Sequence, residues 1–127
     1  MIALGNAPRP GRSEAAHTEP IAAGLIGVQT RFRALIVDRL LVFEALKKDI
    51  EANRHQAQAL GKIADLAHKI AGVAATLGYP RVGGLAADIE LAVRNGDAAA
   101  TSSHQTWRGV QPVLEALLDE LEILLDD

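Results

Sequence analysis

One histidine stands out among the residues that could do chemistry, because its neighbours on the same helix face are small. His68 lies in a segment whose apolar residues recur every three or four positions, as in an amphipathic helix. At about 100° per residue, its side chain points roughly 130° away from the centre of that apolar stripe. We therefore expect His68 to be exposed to solvent.

The outward face around His68 carries glycine and alanine where a solvent-exposed helix usually carries Glu, Lys and Arg. Its members are Gly61, Ala64 at the edge, Asp65, Gly72 and Ala75. A glycine inside a helix costs about 1 kcal/mol relative to alanine, and these glycines lie opposite the apolar stripe. The pattern favours a surface that another protein approaches closely. Close packing against a neighbouring helix of the same chain is the alternative.

An isolated, exposed imidazole is suited to nucleophilic attack on phosphorus. A general base needs a pocket and an orienting partner, for which Asp65 is a candidate, although such surface pairs are common. The other histidines, His17, His55 and His104, have no spacing that would bind zinc, so we expect no metal site. A partner would have to supply the rest of an active site, including any Mg²⁺.

Four long amphipathic segments surround this histidine in the sequence. Apolar residues at helical spacing run from Phe32 to Ile50, from Leu60 to Leu77, from Val82 to Val93 and from Trp107 to Leu124. Because the connections between them are short, they predict an all-α fold, an antiparallel up-down four-helix bundle. A short additional N-terminal helix is expected over Pro20 to Gln29, with Thr30 capping the next helix.

Glycine, proline and asparagine mark where these helices end and begin. Gly78 is expected to end the second long helix in a left-handed conformation, with Pro80 in the first turn of the third. The pair Asn95-Gly96 is expected to end the third helix, and Asp97 to cap the fourth. Pro112 is expected to kink or break the fourth helix, because it cannot donate a backbone hydrogen bond.

The composition bounds the function classes. The chain has 127 residues, a formal net charge of −3, 3% aromatic residues and no cysteine. This predicts one domain, residues 19–127, after a disordered tail, residues 1–18. It argues against nucleic-acid binding, which needs basic faces and stacking aromatics, and against disulfides and thiolate chemistry. No apolar run is long enough for a membrane, and Pro8 and Pro10 stand where a signal peptide needs its apolar core, so we expect a cytoplasmic protein. We also expect it to be a monomer.

The run from Ala67 to Gly78 resembles the signature of histidine-containing phosphotransfer (HPt) domains of two-component phosphorelays. That signature has a His, an apolar residue two positions later, a Gly four positions later, small residues and then Leu-Gly. Here these are His68, Ile70, Gly72 and Leu77-Gly78. The apolar and acidic residues that typically follow correspond to Val82, Leu85, Ile89 and Glu90 without a gap. The resemblance is specific over about residues 60–97, and its four-helix bundle agrees with the fold predicted above.

The resemblance implies that His68 is phosphorylated. The phosphoryl group would come from the aspartate of a response-regulator receiver domain, and another receiver aspartate would take it. The expected partners are therefore receiver domains and a hybrid histidine kinase. The chain itself would be a phosphoryl carrier rather than an enzyme and would need no cofactor of its own, because the receiver supplies the Mg²⁺ pocket. The outward face given above would be the docking surface.

One position departs from the family pattern. The Lys that the family commonly has three residues after the His is Ala71 here, and Lys69 follows His68 directly instead. A helical hairpin about Tyr79-Pro80 would bring Arg94 level with His68, so Lys69 and Arg94 are both candidates to support the phosphoryl group. The alternative for Lys69 and for Arg94 is that each is an ordinary solvated cation on the surface. The alternative for Glu90 is that it forms an ordinary surface ion pair.

Two other functions remain open at this point. The same face could dock a receiver or a kinase without exchanging phosphate, and the missing Lys slightly favours that reading. A histidine-kinase dimerisation domain is less favoured, because its motif has an acidic residue directly after the His, where Lys69 stands.

Overall fold

Four α-helices account for nearly all of the structure. The computed structural model describes the backbone of residues 14–126 and the side chains of residues 27, 28 and 30–126. The helices are α1 (Glu14–Glu51), α2 (Gln56–Leu77), α3 (Pro80–Ala98) and α4 (Ser103–Asp126), and the described residues form no strand. The predicted all-α four-helix fold is confirmed. Because the connections are short, consecutive helices run antiparallel.

The chain divides into two compact units, Met1–Leu35 and Ile36–Asp127. The described part of the first unit is the beginning of α1, and the second unit contains the rest of α1 with the other helices. The segment from Pro20 to Gln29 is helical but is not a separate helix, because α1 continues through Thr30 without interruption. Its glycines lower helix propensity but keep their backbone donors, so a helix can continue through them.

The N-terminal boundary also differs from the prediction. Helix α1 begins at Glu14, inside the segment predicted as a tail over residues 1–18. Residues 1–13 of that predicted tail lie outside the described residues.

The second unit is held together by apolar side chains from all four helices, and no polar or charged side chain is buried among the described residues. Its largest buried side chains are Ile36, Phe43, Ile50, Ile63, Ile70, Ile89, Val93, Val110, Leu114, Leu117 and Leu121. Trp107 is buried, as its place on the apolar stripe of α4 predicted. The alanines on the inner stripe of α2, Ala67 and Ala74, are fully buried, as expected for residues that let helices approach closely.

The corner between α2 and α3 follows the sequence prediction. Gly78 has a φ of 81°, in the left-handed region, and its backbone N–H closes on the carbonyl of Ala74. Pro80 begins α3, where its missing N–H costs nothing. This two-residue connection sets α2 and α3 side by side, which is what positions the site described below.

The corner between α3 and α4 lies further along the chain than predicted. Helix α3 continues past Asn95-Gly96 to Ala98, so Asp97 lies inside α3 and does not cap α4. Ser102 caps α4 instead, because its hydroxyl accepts a hydrogen bond from the backbone N–H of Gln105 at 3.2 Å. Gly96 is needed for packing rather than for ending the helix, because a Cβ there would clash with Oγ1 of Thr106.

Helix α4 passes through Pro112 without the expected break. Pro112 is exposed, while Val110 and Leu114 on either side of it are fully buried. The burial of these neighbours outweighs the local cost of a proline inside a helix, about 3 kcal/mol.

Candidate functional site

His68 lies on the exposed side of α2, and a side chain of α3 contacts its imidazole. Its side chain is 72% exposed, and its Nδ1 atom lies 3.0 Å from Oε1 of Glu90. An ionised carboxylate can only accept, so this contact assigns the hydrogen of a neutral imidazole to Nδ1. The Nε2 atom then carries the free lone pair, on the side of the ring away from Glu90. The exposure predicted for His68 is therefore found.

Glu90 also lies near a cation, Arg94, which in turn binds the carboxylate of Asp65. Its Oε2 atom lies 3.8 Å from Nη2 of Arg94, one helical turn later on α3. The same Nη2 donates a hydrogen bond to Oδ1 of Asp65 on α2 at 3.0 Å. Asp65, suggested by the sequence as the partner of a His68 ring nitrogen, thus pairs with Arg94, and Glu90 takes the place beside the imidazole.

These side chains line an open depression of about 310 Å³ between α2 and α3. It is bounded by Asp65, His68, Lys69, Glu90 and Arg94, so both cations singled out from the sequence border the same space as the imidazole. Lys69 has no described contact that would hold it in one position. Arg94 contacts two carboxylates, which orient its guanidinium in the depression.

The role of Glu90 was missed by the sequence analysis, although a signal was present. In an antiparallel hairpin, residues equally distant from the turn lie side by side. His68 and Glu90 are equally distant from Tyr79, and Asp65 and Arg94 are nearly so. Glu90, which matches the acidic residue of the family pattern, thus lies beside His68 because of the geometry of the hairpin.

The glycines beside His68 have no packing role among the residues that the structure describes. A Cβ added at Gly61 or at Gly72 would meet nothing within 4 Å. Gly72 and Ala75 are exposed, and Gly61 is half-buried. Since internal packing does not require glycine at either position, close approach of a neighbouring helix is not their explanation.

Ala64 does not belong to this outward face. Its side chain is fully buried, although the helical wheel placed it at the edge of the exposed sector. A helix in a bundle packs against more than one neighbour, so its buried face is wider than a single stripe of residues, and an edge position is covered.

A second, apolar depression lies at the corner of the hairpin. It is lined by Ala71, Ala74, Ala75, Gly78, Tyr79, Pro80, Gly83, Gly84 and Ala87. Ala71 stands where the family commonly has Lys, so that position contributes a methyl group to this depression rather than a cation to the first one.

The described residues also bear on metal binding and on membrane insertion. They contain no group of three or more His, Asp or Glu side chains arranged to hold a metal ion. Within that same part of the chain, no helix is both long enough and apolar enough to cross a bilayer.

Comparison with known proteins gives one match. A family model described as "Hpt domain" matches residues 33–124, which is most of the chain and includes the whole hairpin that carries the site. No curated protein and no solved structure shows a significant match to the chain.

Proposed function

This chain belongs to the Hpt domain family, and on that premise we propose that His68 is its phosphoacceptor. Domains of this family are phosphocarriers in histidine phosphotransfer, and they interact with receiver domains and kinases. We propose that His68 takes a phosphoryl group from a receiver aspartate and passes it to another. The observation that supports this most directly is the orientation of the imidazole, with Nδ1 bound by Glu90 and Nε2 open to solvent.

Glu90 prepares His68 for attack in two ways. Its carboxylate accepts the hydrogen of Nδ1, which keeps the lone pair on Nε2, the nitrogen that faces a docking partner. As Nε2 bonds to phosphorus, the ring becomes positively charged, and the adjacent carboxylate stabilises that charge. The same division of labour operates where a carboxylate orients the histidine of a catalytic triad.

The imidazole of His68 and the aspartyl phosphate are the two reacting groups of the transfer. The lone pair of Nε2 forms the N–P bond while the P–O bond of the aspartyl phosphate breaks, and the bonding pair leaves on the aspartate as a carboxylate. The product is a phosphoimidazolium that keeps its hydrogen on Nδ1. The reverse reaction with a second receiver returns the neutral imidazole, so His68 carries the group and is not consumed.

Lys69 and Arg94 are proposed to attract the phosphoryl oxygens. Both border the depression that contains His68. A guanidinium can bind two phosphoryl oxygens at once, which gives Arg94 the better geometry, whereas Lys69 acts as a mobile charge. Because Ala71 supplies no cation, the site depends more on Arg94 than a domain with the common Lys would.

The exposed surface formed by Gly61, Asp65, Gly72 and Ala75 is proposed as the docking surface for receivers, including that of a hybrid histidine kinase. Small side chains there let the partner's aspartyl phosphate come within bonding distance of Nε2. The receiver would bring the Mg²⁺ that neutralises the transferring group. That the chain acts as a monomer stays a prediction.

The experiment that tests this proposal is phosphotransfer from a phosphorylated receiver domain in the presence of Mg²⁺. We expect acid-labile, base-stable phosphate on the parent chain and none on His68→Gln. The matched control is His104→Gln, which removes an exposed histidine on α4 and should label like the parent. Equal labelling of His68→Gln would refute the proposal. A receiver that binds tightly while His68 stays unlabelled would favour the docking module considered above.

A further inference from the structure

Arg94 is already bound by carboxylates before any phosphoryl group arrives. Its Nη2 atom donates to Asp65 at 3.0 Å and lies 3.8 Å from Glu90. Glu90 is also bound to His68, so one of the two carboxylates is part of the phosphoacceptor arrangement itself. Asp65 differs, because its described polar contact is to Arg94 alone and it does not touch the imidazole.

A phosphoryl group on Nε2 would bring two negative charges into a depression that already contains two carboxylates. The positive charges that border it are those of Lys69 and Arg94. To bind the phosphoryl oxygens, the Arg94 guanidinium has to give up Asp65, at least in part. The guanidinium can leave Asp65 for the phosphoryl oxygens, because both side chains of this ion pair are about half exposed or more, 48% for Arg94 and 67% for Asp65.

We infer that Asp65 is a positioning residue that competes with the phosphoryl group for Arg94. It holds the guanidinium against α2 while His68 is free, and the loss of that ion pair opposes phosphorylation. The effect is to lower the stability of phosphohistidine, which makes the chain a better donor to the next receiver. This inference rests on the proposed function and adds to it the regulation of the equilibrium by one carboxylate.

The measurement is the equilibrium distribution of phosphate between a receiver domain and the chain, with Mg²⁺. Both proteins are diluted well below the dissociation constant of their complex, so that docking affinity does not enter the ratio. We expect Asp65→Asn to raise the ratio of phosphorylated chain to phosphorylated receiver about 3-fold, the effect of an exposed ion pair. Arg94→Gln should lower that ratio by a similar factor or more.

Two further variants separate competition for Arg94 from other effects of Asp65. In an Arg94→Gln background, Asp65→Asn should change the ratio by much less than it does in the parent, because the group competed for is gone. The conservative variant Asp65→Glu keeps the carboxylate and should stay close to the parent. Asp88→Asn, which removes an exposed carboxylate elsewhere on α3, is the matched control for net charge.

The outcomes distinguish this inference from the proposed function. If Asp65→Asn has the same effect with and without Arg94, Asp65 acts by direct repulsion and the inference is wrong. It is equally wrong if Asp65→Asn leaves the ratio unchanged. Absence of phosphate from His68 in the parent overturns both proposals, whereas a labelled parent with no Arg94-dependent effect overturns this one alone.

Discussion

The Nδ1 atom of His68 lies 3.0 Å from the Oε1 atom of Glu90, a residue 22 positions later on a different helix. This contact connects α2 and α3 at the protein surface rather than in the core. It leaves Nε2 accessible and gives Nδ1 its hydrogen-bond acceptor. The orientation of the His68 imidazole is thus a property of the hairpin and not of α2 alone.

Replacing Glu90 by Gln should slow phosphotransfer to His68. The amide can turn its NH₂ group towards Nδ1, which would place the hydrogen of the imidazole on Nε2, the nitrogen that has to attack. We expect a fall of about 10-fold in the rate of transfer from a phosphorylated receiver, as for other residues that orient a functional histidine. Asp88→Asn is the control, and an undiminished rate in Glu90→Gln would argue against the orienting role.

Replacing Gly72 by Ala should raise stability and lower activity together. Among the described residues, the new methyl group meets no atom within 4 Å outside its own stretch of helix, and alanine favours a helix over glycine by about 1 kcal/mol. We therefore expect a higher urea midpoint, but slower phosphotransfer, because the methyl group occupies space that the receiver needs.

The matched control is Gly109→Ala on α4, where a Cβ also meets nothing within 4 Å. It should raise stability by a similar amount and leave phosphotransfer as in the parent. If Gly72→Ala transfers phosphate as fast as Gly109→Ala does, the glycine at 72 does not serve docking.

Replacing Gly96 by Ala should have the opposite effect on stability. A Cβ at this position lies too close to Oγ1 of Thr106, so α3 and α4 would have to move apart. We expect the free energy of unfolding to fall by about 1–3 kcal/mol, the usual cost of overpacking. Thermal unfolding measures it, and the added change Thr106→Ala should recover part of the loss. No recovery would mean that Thr106 is not the residue in the way.

The contact between Lys47 on α1 and Glu115 on α4 should make stability depend on pH in the alkaline range. The hydrogen bond to Glu115 raises the pKa of Lys47 above its usual 10.5, although burial acts against it. Because the pKa is higher in the folded chain, the stabilisation is fully present below the pKa of the unfolded chain. It is lost as the pH rises through the raised value.

Comparison of the parent with Lys47→Met at several pH values checks this. Urea unfolding should give a difference of about 0.5 kcal/mol at neutral pH, a small value because Glu115 is substantially exposed. The difference should narrow as the pH rises through the raised pKa of Lys47. Lys48→Met, at the exposed neighbouring position, should show no such narrowing. If the difference narrows equally in both variants, the pH dependence does not come from Lys47.

Introducing the cation that the family commonly has at position 71 should stabilise the phosphorylated form. In Ala71→Lys the new ammonium would stand one helical turn from His68, within reach of phosphoryl oxygens. We expect the equilibrium with a receiver to shift towards phosphohistidine by about 3-fold or more. Ala71→Met, which has a similar length and no charge, is the control; an equal shift with Met would show that charge is not the cause.

Much of the fold could be predicted because it depends on local chemistry. The apolar spacing of each helix, the left-handed Gly78 and the first-turn position of Pro80 all act within a few residues. Predictions were wrong where tertiary packing outweighed local preference. Helix α4 continues through Pro112 because Val110 and Leu114 are buried on either side of it. Helix α3 continues past Gly96, where the approach of Thr106 and not a helix end requires glycine.

The sequence by itself determined that His68 is exposed among small residues, since the period of a helix decides which side chains point outward. The tertiary structure decided which groups surround it. Glu90 and Arg94 are far from His68 in the chain, and only the packing of α3 against α2 sets which carboxylate bonds the imidazole and which binds the guanidinium. A shift of one helical turn between the two helices would carry Glu90 away from His68, because side chains on the same face repeat every 5.4 Å.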